Sequence, residues 1–256
     1  LAKDLAFKVP FGDFVFQDVN ITAHHGDKIA LIGRNGTGKT TLLKMLQGDI
    51  LPSKGRVEKY GKSIYLPQVY FDLAKDKQVY EFIAEVYESW WEVITFAEEK
   101  FGLRDISPNQ TIGTVSGGEL MKIYLARYLV RKPDILLLDE PTNHIDVQSL
   151  AVLIDLLKTF EGTVILASHD TFFINQFADR ILELEDGTIH NFGGNYEFYK
   201  SMRLTLDNSH ERDVFAVRKK ISQLKKAVKT EETRHYKVTE NAKKFQNDRS
   251  MARIQI

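Results

Sequence analysis

The chain has 256 residues, enough for one large α/β domain with an appendage or for two small domains, and its composition (43% hydrophobic, 27% charged) is globular rather than disordered or fibrous. It has no cysteine, which excludes disulfide and thiol chemistry, no signal-peptide pattern, and no apolar run near the roughly 18–20 residues that a membrane-spanning helix needs. The formal net charge of zero is a cancellation: from Lys200 onward 15 Lys and Arg stand against 7 Asp and Glu, a net of +8, so residues 1–199 carry 20 against 28, a net of −8. An acidic body with a basic tail points to a tail that meets something anionic; the plainer alternative is a solvated charged helix. Because the sequence opens on Leu1 rather than Met, it reads as a piece of a longer protein or a trimmed one.

In chain order, residues 1–30 carry short alternating segments with turn signals at Pro10, Gly12 and Gly26, which predict small antiparallel strands. Lys28-Ile29-Ala30-Leu31-Ile32 is an apolar run expected to be a buried parallel strand. It leads into Gly33-Arg34-Asn35-Gly36-Thr37-Gly38-Lys39-Thr40, which matches G-x-x-x-x-G-K-[ST], and then into a helix from Thr41 that Gly48 should stop. Pro52–Gly55 reads as a turn, and Arg56–Glu58 and Ser63–Leu66 as strands ending at Pro67-Gln68. Val79, Phe82, Ile83, Val86, Trp90, Val93, Ile94 and Ala97 recur at helical spacing, so residues 76–101 predict one or two amphipathic helices, with one of Trp90 and Trp91 in the core and the other partly exposed. A further helix runs from Ser116-Gly117-Gly118-Glu119 to about Lys132. The apolar strand Ile135–Leu138 ends in Asp139-Glu140, and a helix follows over Val147–Phe160 with Val147, Leu150, Ile154 and Leu157 on one face. The strand Thr163–Ala167 ends in Ser168-His169-Asp170. Continuous apolar strands separated by helices predict an α/β fold with a parallel sheet covered on both faces, its chemistry at the C-terminal strand ends.

The glycine loop between strand and helix is a phosphate cradle: glycines turn backbone N–H groups inward and the helix N-terminus adds partial positive charge. Lys39 would reach the β- and γ-phosphates of a nucleoside triphosphate and the Thr40 hydroxyl would ligate Mg²⁺. Asp139 suits the same Mg²⁺, Glu140 the water that attacks the γ-phosphate, His169 a hydrogen bond to that phosphate, and Gln68 a bridge between metal and water. Taken singly, a strand-end His or a lone Gln is more often structural than catalytic; the order and position of the set carry the reading.

That order resembles the ATP-binding cassette (ABC) superfamily over residues 1–199. Ser116-Gly117-Gly118-Glu119 is similar to its signature motif, Ile135–Pro141 to Walker B with the following glutamate, and Ser168-His169-Asp170 to the switch histidine. The resemblance implies a cassette with an antiparallel β subdomain and a helical subdomain at about 70–132. It implies ATP binding through Gly33, Asn35, Gly36, Gly38, Lys39, Thr40 and Thr41, and adenine stacking on Phe11. It also implies Mg²⁺ at Thr40, Gln68 and Asp139, and a second cassette whose site Ser116, Gly117, Gly118, Glu119 and Asp146 would complete. Val115 stands where the family usually has leucine, a conservative departure.

Pro141-Thr142-Asn143-His144-Ile145-Asp146 and Gly193-Gly194-Asn195-Tyr196-Glu197-Phe198-Tyr199 are similar to segments of ABC-F proteins, which pair cassettes without a membrane domain. In the tail, Val214, Val217, Ile221, Leu224 and Val228 form a heptad seam, and a turn near 230–239 would make residues 200–256 an α-helical hairpin resembling the ABC-F linker. Lys219, Lys225, Lys226, Lys243 and Lys244 would meet phosphates without reading sequence, and the resemblance implies that these belong to ribosomal and transfer RNA on the ribosome in the cytoplasm. Two details depart from the family: Thr171 replaces its usual arginine, and only residues 69–115 separate Gln68 from the signature, so the arm is short. The resemblance leaves open whether this is a first or second cassette, and whether its job is general translation or protection of the ribosome from antibiotics, toward which the short arm leans. The competing readings are the energising subunit of a membrane transporter and a DNA-repair or structural-maintenance ATPase, in which coiled coils interrupt the cassette.

Overall fold

The strand periodicities resolve into two sheets in a computed structural model that describes residues 2–9, 12–67, 74–142, 145–206 and 220. The chain divides into two units, Leu1–Lys200 and Ser201–Ile256. In the first, β1 (Ala2–Lys8), β2 (Phe14–Ile21) and β4 (Lys54–Val57) form an antiparallel sheet in the order β2-β1-β4. The second sheet takes β3 (Lys28–Ile32), β5 (Ser63–Leu66), β6 (Ile135–Asp139), β7 (Thr163–Ala167), β8 (Arg180–Glu185) and β9 (Thr188–Gly193) in the order β5-β6-β7-β3-β8-β9. Its strands are parallel except for β9, which pairs antiparallel with β8.

Alternation within the buried strands divides the core. Ile29, Leu31, Leu137, Ile165 and Ala167 face α1 (Lys39–Gln47) and the antiparallel sheet, while Ala30, Ile32, Leu136, Leu138, Val164 and Leu166 face the helices on the other side. Burying a side chain of this kind contributes about 1.5–3 kcal/mol, so both faces of the sheet are strongly specified. That second layer holds α2 (Val79–Ala84), α3 (Trp90–Phe101), α4 (Gly117–Leu129), α5 (Val147–Thr159) and α6 (Thr171–Phe177), so residues 76–101 form two helices. Trp90 packs against the core and Trp91 is exposed, their rings meeting edge to face.

Helix ends follow their capping residues. Gly48, left-handed at φ 99°, returns its N–H to the Lys44 and Met45 carbonyls and stops α1. Asp146 caps α5 and Asp170 caps α6 by accepting from Ser149 N and Phe173 N. Three expectations shift. β4 begins at Lys54, inside the stretch expected to be a turn, and α4 ends at Leu129 rather than near Lys132. Val147 is 83% exposed, because the buried face of α5 runs through Ser149, Leu153 and Leu157 and Val147 lies off it. In the second unit residues 201–206 and Lys220 are helical; the heptad seam and the hairpin lie outside the described residues.

Candidate functional site

Parallel register brings the polar strand ends to one edge of the sheet. Leu31 of β3 and Asp139 of β6 both pair with Ala167 of β7, so the chain leaves these three strands side by side at Gly33, Glu140 and Ser168. Thr37 closes the glycine loop by donating its N–H and hydroxyl to the Arg34 carbonyl. A Cβ at Gly33 would run into the Leu184 carbonyl, and one at Gly38 into Val15 and the Phe16 ring, so neither position has room for a side chain. Gly38 is also left-handed (φ 101°) and caps α1 without a side-chain hydrogen bond. The first-turn amides at Lys39, Thr40 and Thr41 are thus left for an anion, with no acidic residue within that turn.

Lys39 is 7% exposed and donates to the Gly33 and Arg34 carbonyls at 2.8 and 3.4 Å. Burial lowers its pKa below the usual lysine value, with Glu140 and then Asp139 pulling it back up. Its Nζ lies 2.9 Å from His169 Nε2, and the same nitrogen lies 3.2 Å from Glu140 Oε1. A single Nε2 can accept from Lys39 or donate to Glu140 but not both, so the proton at that atom decides which partner His169 holds. Glu140 is held in the left-handed region at φ 48° by its own N–H, which donates to the Ala167 carbonyl at 2.8 Å. That backbone costs a non-glycine residue about 1–2 kcal/mol, a strain of the kind that concentrates at functional sites.

Asp139 is 5% exposed; its Oδ2 accepts from the Tyr65 hydroxyl at 2.9 Å, and its Oδ1 has no partner among the described residues. A buried carboxylate oxygen without a donor fits a cation, and Thr40 starts the helix that packs on β6. No cluster of three or more His, Asp or Glu among the described residues makes a metal cage. A Mg²⁺ held here would therefore take most of its oxygens from phosphate and water.

A second group forms at the start of α4. The Ser116 hydroxyl accepts from Glu119 N and donates to Glu119 Oε2, while Ser116 N donates to that same carboxylate at 3.1 Å. This capping box occupies Ser116 and places a negative charge on the helix end, so a phosphate arriving there must displace Glu119. At Gly117 a Cβ would run into Asp146 Oδ2 and Ser149 Oγ, so glycine lets α4 press on the cap of α5. Gly118 sits beside Val152. Ser116, Gly117, Glu119 and Asp146 are thus brought together. Phe11 and Gln68 lie outside the described residues, but the buried Tyr124 of α4 donates to the carbonyl of Pro67, which directly precedes Gln68. No motif marks Tyr65 or Tyr124 as functional; the one signal for Tyr65 in the sequence is its place opposite the buried Ile64 and Leu66 in a period of two.

The family model described as ABC transporter matches residues 16–143. The ribosome protection protein VmlR of Bacillus subtilis (strain 168) is 39% identical over 202 residues, covering 77% of this chain and 34% of that protein. ABC transporter F family member 5 of Arabidopsis thaliana is 35% identical over 197 residues, covering 74% of this chain and 28% of that protein. The chain thus spans about a third of the length of these relatives. A nucleotide-free ATP-binding cassette from an ABC transporter superposes with a TM-score of 0.60 over 78% of this chain and 92% of that one, at 18% identity, and shares the fold. Among the described residues no helix is long and apolar enough to cross a membrane.

Proposed function

Since the chain belongs to the ABC transporter family, with ABC-F proteins as its relatives, we propose that it binds and hydrolyses ATP at a site shared with a second cassette. The observation that carries this reading is the convergence of Lys39, Asp139, Glu140 and His169 from three parallel strand ends. The loop amides of Gly33–Thr41 and the Lys39 ammonium take the phosphates, with Asn35 and Gly36 in the loop and Phe11 against adenine. Thr40, Asp139 and Gln68 would hold Mg²⁺, whose chemistry is charge neutralisation on the phosphates.

The chain's own groups do the rest. Glu140 takes a proton from the attacking water, its carboxylate aimed across the strand ends toward His169. His169, released from Lys39 when phosphate takes the ammonium, donates from Nε2 to the γ-phosphate and holds the water in line. Ser116 and the Gly117 and Gly118 amides close over the phosphates of the other cassette, and Asp146 braces that edge. ATP then joins two cassettes and hydrolysis parts them.

The cassette spans residues 1–199, with 200–256 as a basic helical linker, the second cassette belonging to the rest of the protein or to another copy. In this reading the protein works in the cytoplasm on the ribosome, its tail meeting ribosomal and transfer RNA. The relative VmlR, a ribosome protection protein, supports a protective role over a general one in translation. Glu140→Gln tests the chemistry: it should retain ATP, lose turnover and accumulate a two-cassette species on size exclusion with ATP. Undiminished turnover would move the general base elsewhere.

A further inference from the structure

Tyr65 is the residue at this site that no motif accounts for. It lies on β5, paired in register with Leu137 of β6, two residues before Asp139. Its ring packs at the edge of the core beneath the antiparallel sheet, and the Lys44 ammonium stands 5.9 Å from its centroid. A ring held in this way places its hydroxyl with little freedom, and that hydroxyl donates to Asp139 Oδ2 at 2.9 Å. An ordinary phenol titrates at about 10, so at neutral pH this hydroxyl is a donor.

The two oxygens of Asp139 are therefore unequal. Oδ2 is satisfied, and Oδ1 is buried without a partner among the described residues. Had the carboxylate served only to hold strands together, both oxygens would be expected to find donors, because an unpaired buried carboxylate oxygen costs about 1–3 kcal/mol or more. A ligand with one oxygen tied back and the other bare is what an outer hydrogen bond produces when it orients a metal-binding carboxylate. We infer that Tyr65 is a positioning residue for the divalent cation that accompanies ATP: its hydroxyl fixes the rotation of the Asp139 carboxylate so that Oδ1 faces the metal. This rests on the reading above, that Asp139 is a metal ligand.

The test uses the full 256-residue chain. Tyr65→Phe keeps the ring and removes only the hydroxyl. The affinity of each protein for Mn²⁺ in the presence of a non-hydrolysable ATP analogue is read by electron paramagnetic resonance, and analogue affinity in EDTA and thermal melting are read alongside. Relative to wild type, Tyr65→Phe should bind Mn²⁺ about 10- to 100-fold more weakly, with analogue affinity in EDTA unchanged. Asp139→Asn should abolish protein-bound Mn²⁺. If the wild-type complex takes up no Mn²⁺ beyond that on free nucleotide, the metal reading falls and this inference with it. If Asp139→Asn loses Mn²⁺ while Tyr65→Phe binds it like wild type, the positioning role alone is overturned. A Tyr65→Phe protein that loses analogue affinity in EDTA would make the hydroxyl a structural group and overturn the inference as well.

Discussion

Tyr124→Phe isolates a link between the α4 helix and the strand end that carries Gln68. The Tyr124 ring is buried (2% exposed), and its hydroxyl donates to the Pro67 carbonyl at 3.0 Å. Burial raises this phenol well above its usual pKa, so it is a neutral donor at any working pH. Phenylalanine fills the same volume, so no cavity term enters. What is lost is one hydrogen bond, a net of about 0.5–1.5 kcal/mol; Pro67 is exposed, so its carbonyl can turn to water and the larger cost of a stranded acceptor does not apply. At about 2–4 °C per kcal/mol for a protein of this size, the melting temperature should fall by about 1–6 °C. The kinetic effect should exceed the thermodynamic one. Pro67 directly precedes Gln68, which the proposed function puts at the metal and water, and there a misplacement near 1 Å would cost on the order of a hundredfold. ATPase turnover at saturating ATP, measured at equal concentrations of cassettes, should fall by about ten- to a hundredfold while ATP binding in EDTA holds. Turnover equal to wild type alongside the expected loss in melting temperature would show that the hydroxyl only packs, and would refute the link.

Asp146 supplies a pH dependence. Bonds from the Ser149 N–H and hydroxyl hold its pKa below the ordinary carboxylate value, so its share of stability is complete above the unfolded pKa, about 3.9, and is lost as pH falls through the lower folded value. Asp146→Asn keeps the cap, and denaturant midpoints should show a flatter acid limb below about pH 4 than wild type. Deleting residues 201–256, which carry most of the +8 tail, should abolish salt-sensitive co-sedimentation with ribosomes and leave the melting of residues 1–200 intact. Ribosome binding by the truncated chain would reduce the tail to a solvated helix.

Much of this architecture was legible because single patterns carried it. The runs Ile29–Ile32, Leu136–Leu138 and Val164–Ala167 are apolar on both faces of the pleat, as central parallel strands must be, and Gly48 stops α1 where its left-handed backbone is needed. The chemistry of the loop was legible too, since strand, glycine turn and helix follow one another within the chain. What escaped depends on contacts between distant segments. Arg127 reads as a polar position in a helix, yet it is 5% exposed, its guanidinium 3.8 Å from the centre of the Phe82 ring on α2. A cation over a desolvated ring contributes about 2 kcal/mol against the several kcal/mol cost of burying the charge, with a Glu85 carboxylate oxygen 4.0 Å away, and nothing local in the sequence announces it. Val147 differs in the opposite sense: it is apolar and inside the helix, but it lies off the buried face that runs through Ser149, Leu153 and Leu157. The proximity of Lys39 to His169 spans 130 positions and follows from β3 lying next to β7. The tie from Tyr65 to Asp139 likewise needs the neighbouring positions of β5 and β6, which no periodicity encodes.

On the proposed function, one copy of this chain carries two parts of a site and no complete one. Specific ATPase activity as a function of protein concentration tests it directly, with wild type measured alone and with the missing cassette added in excess. Little turnover is expected in dilute protein, with a steep rise, toward second order in protein, as cassettes meet or the second cassette is supplied. Strong turnover per chain that is independent of concentration and unaffected by the added cassette would contradict it.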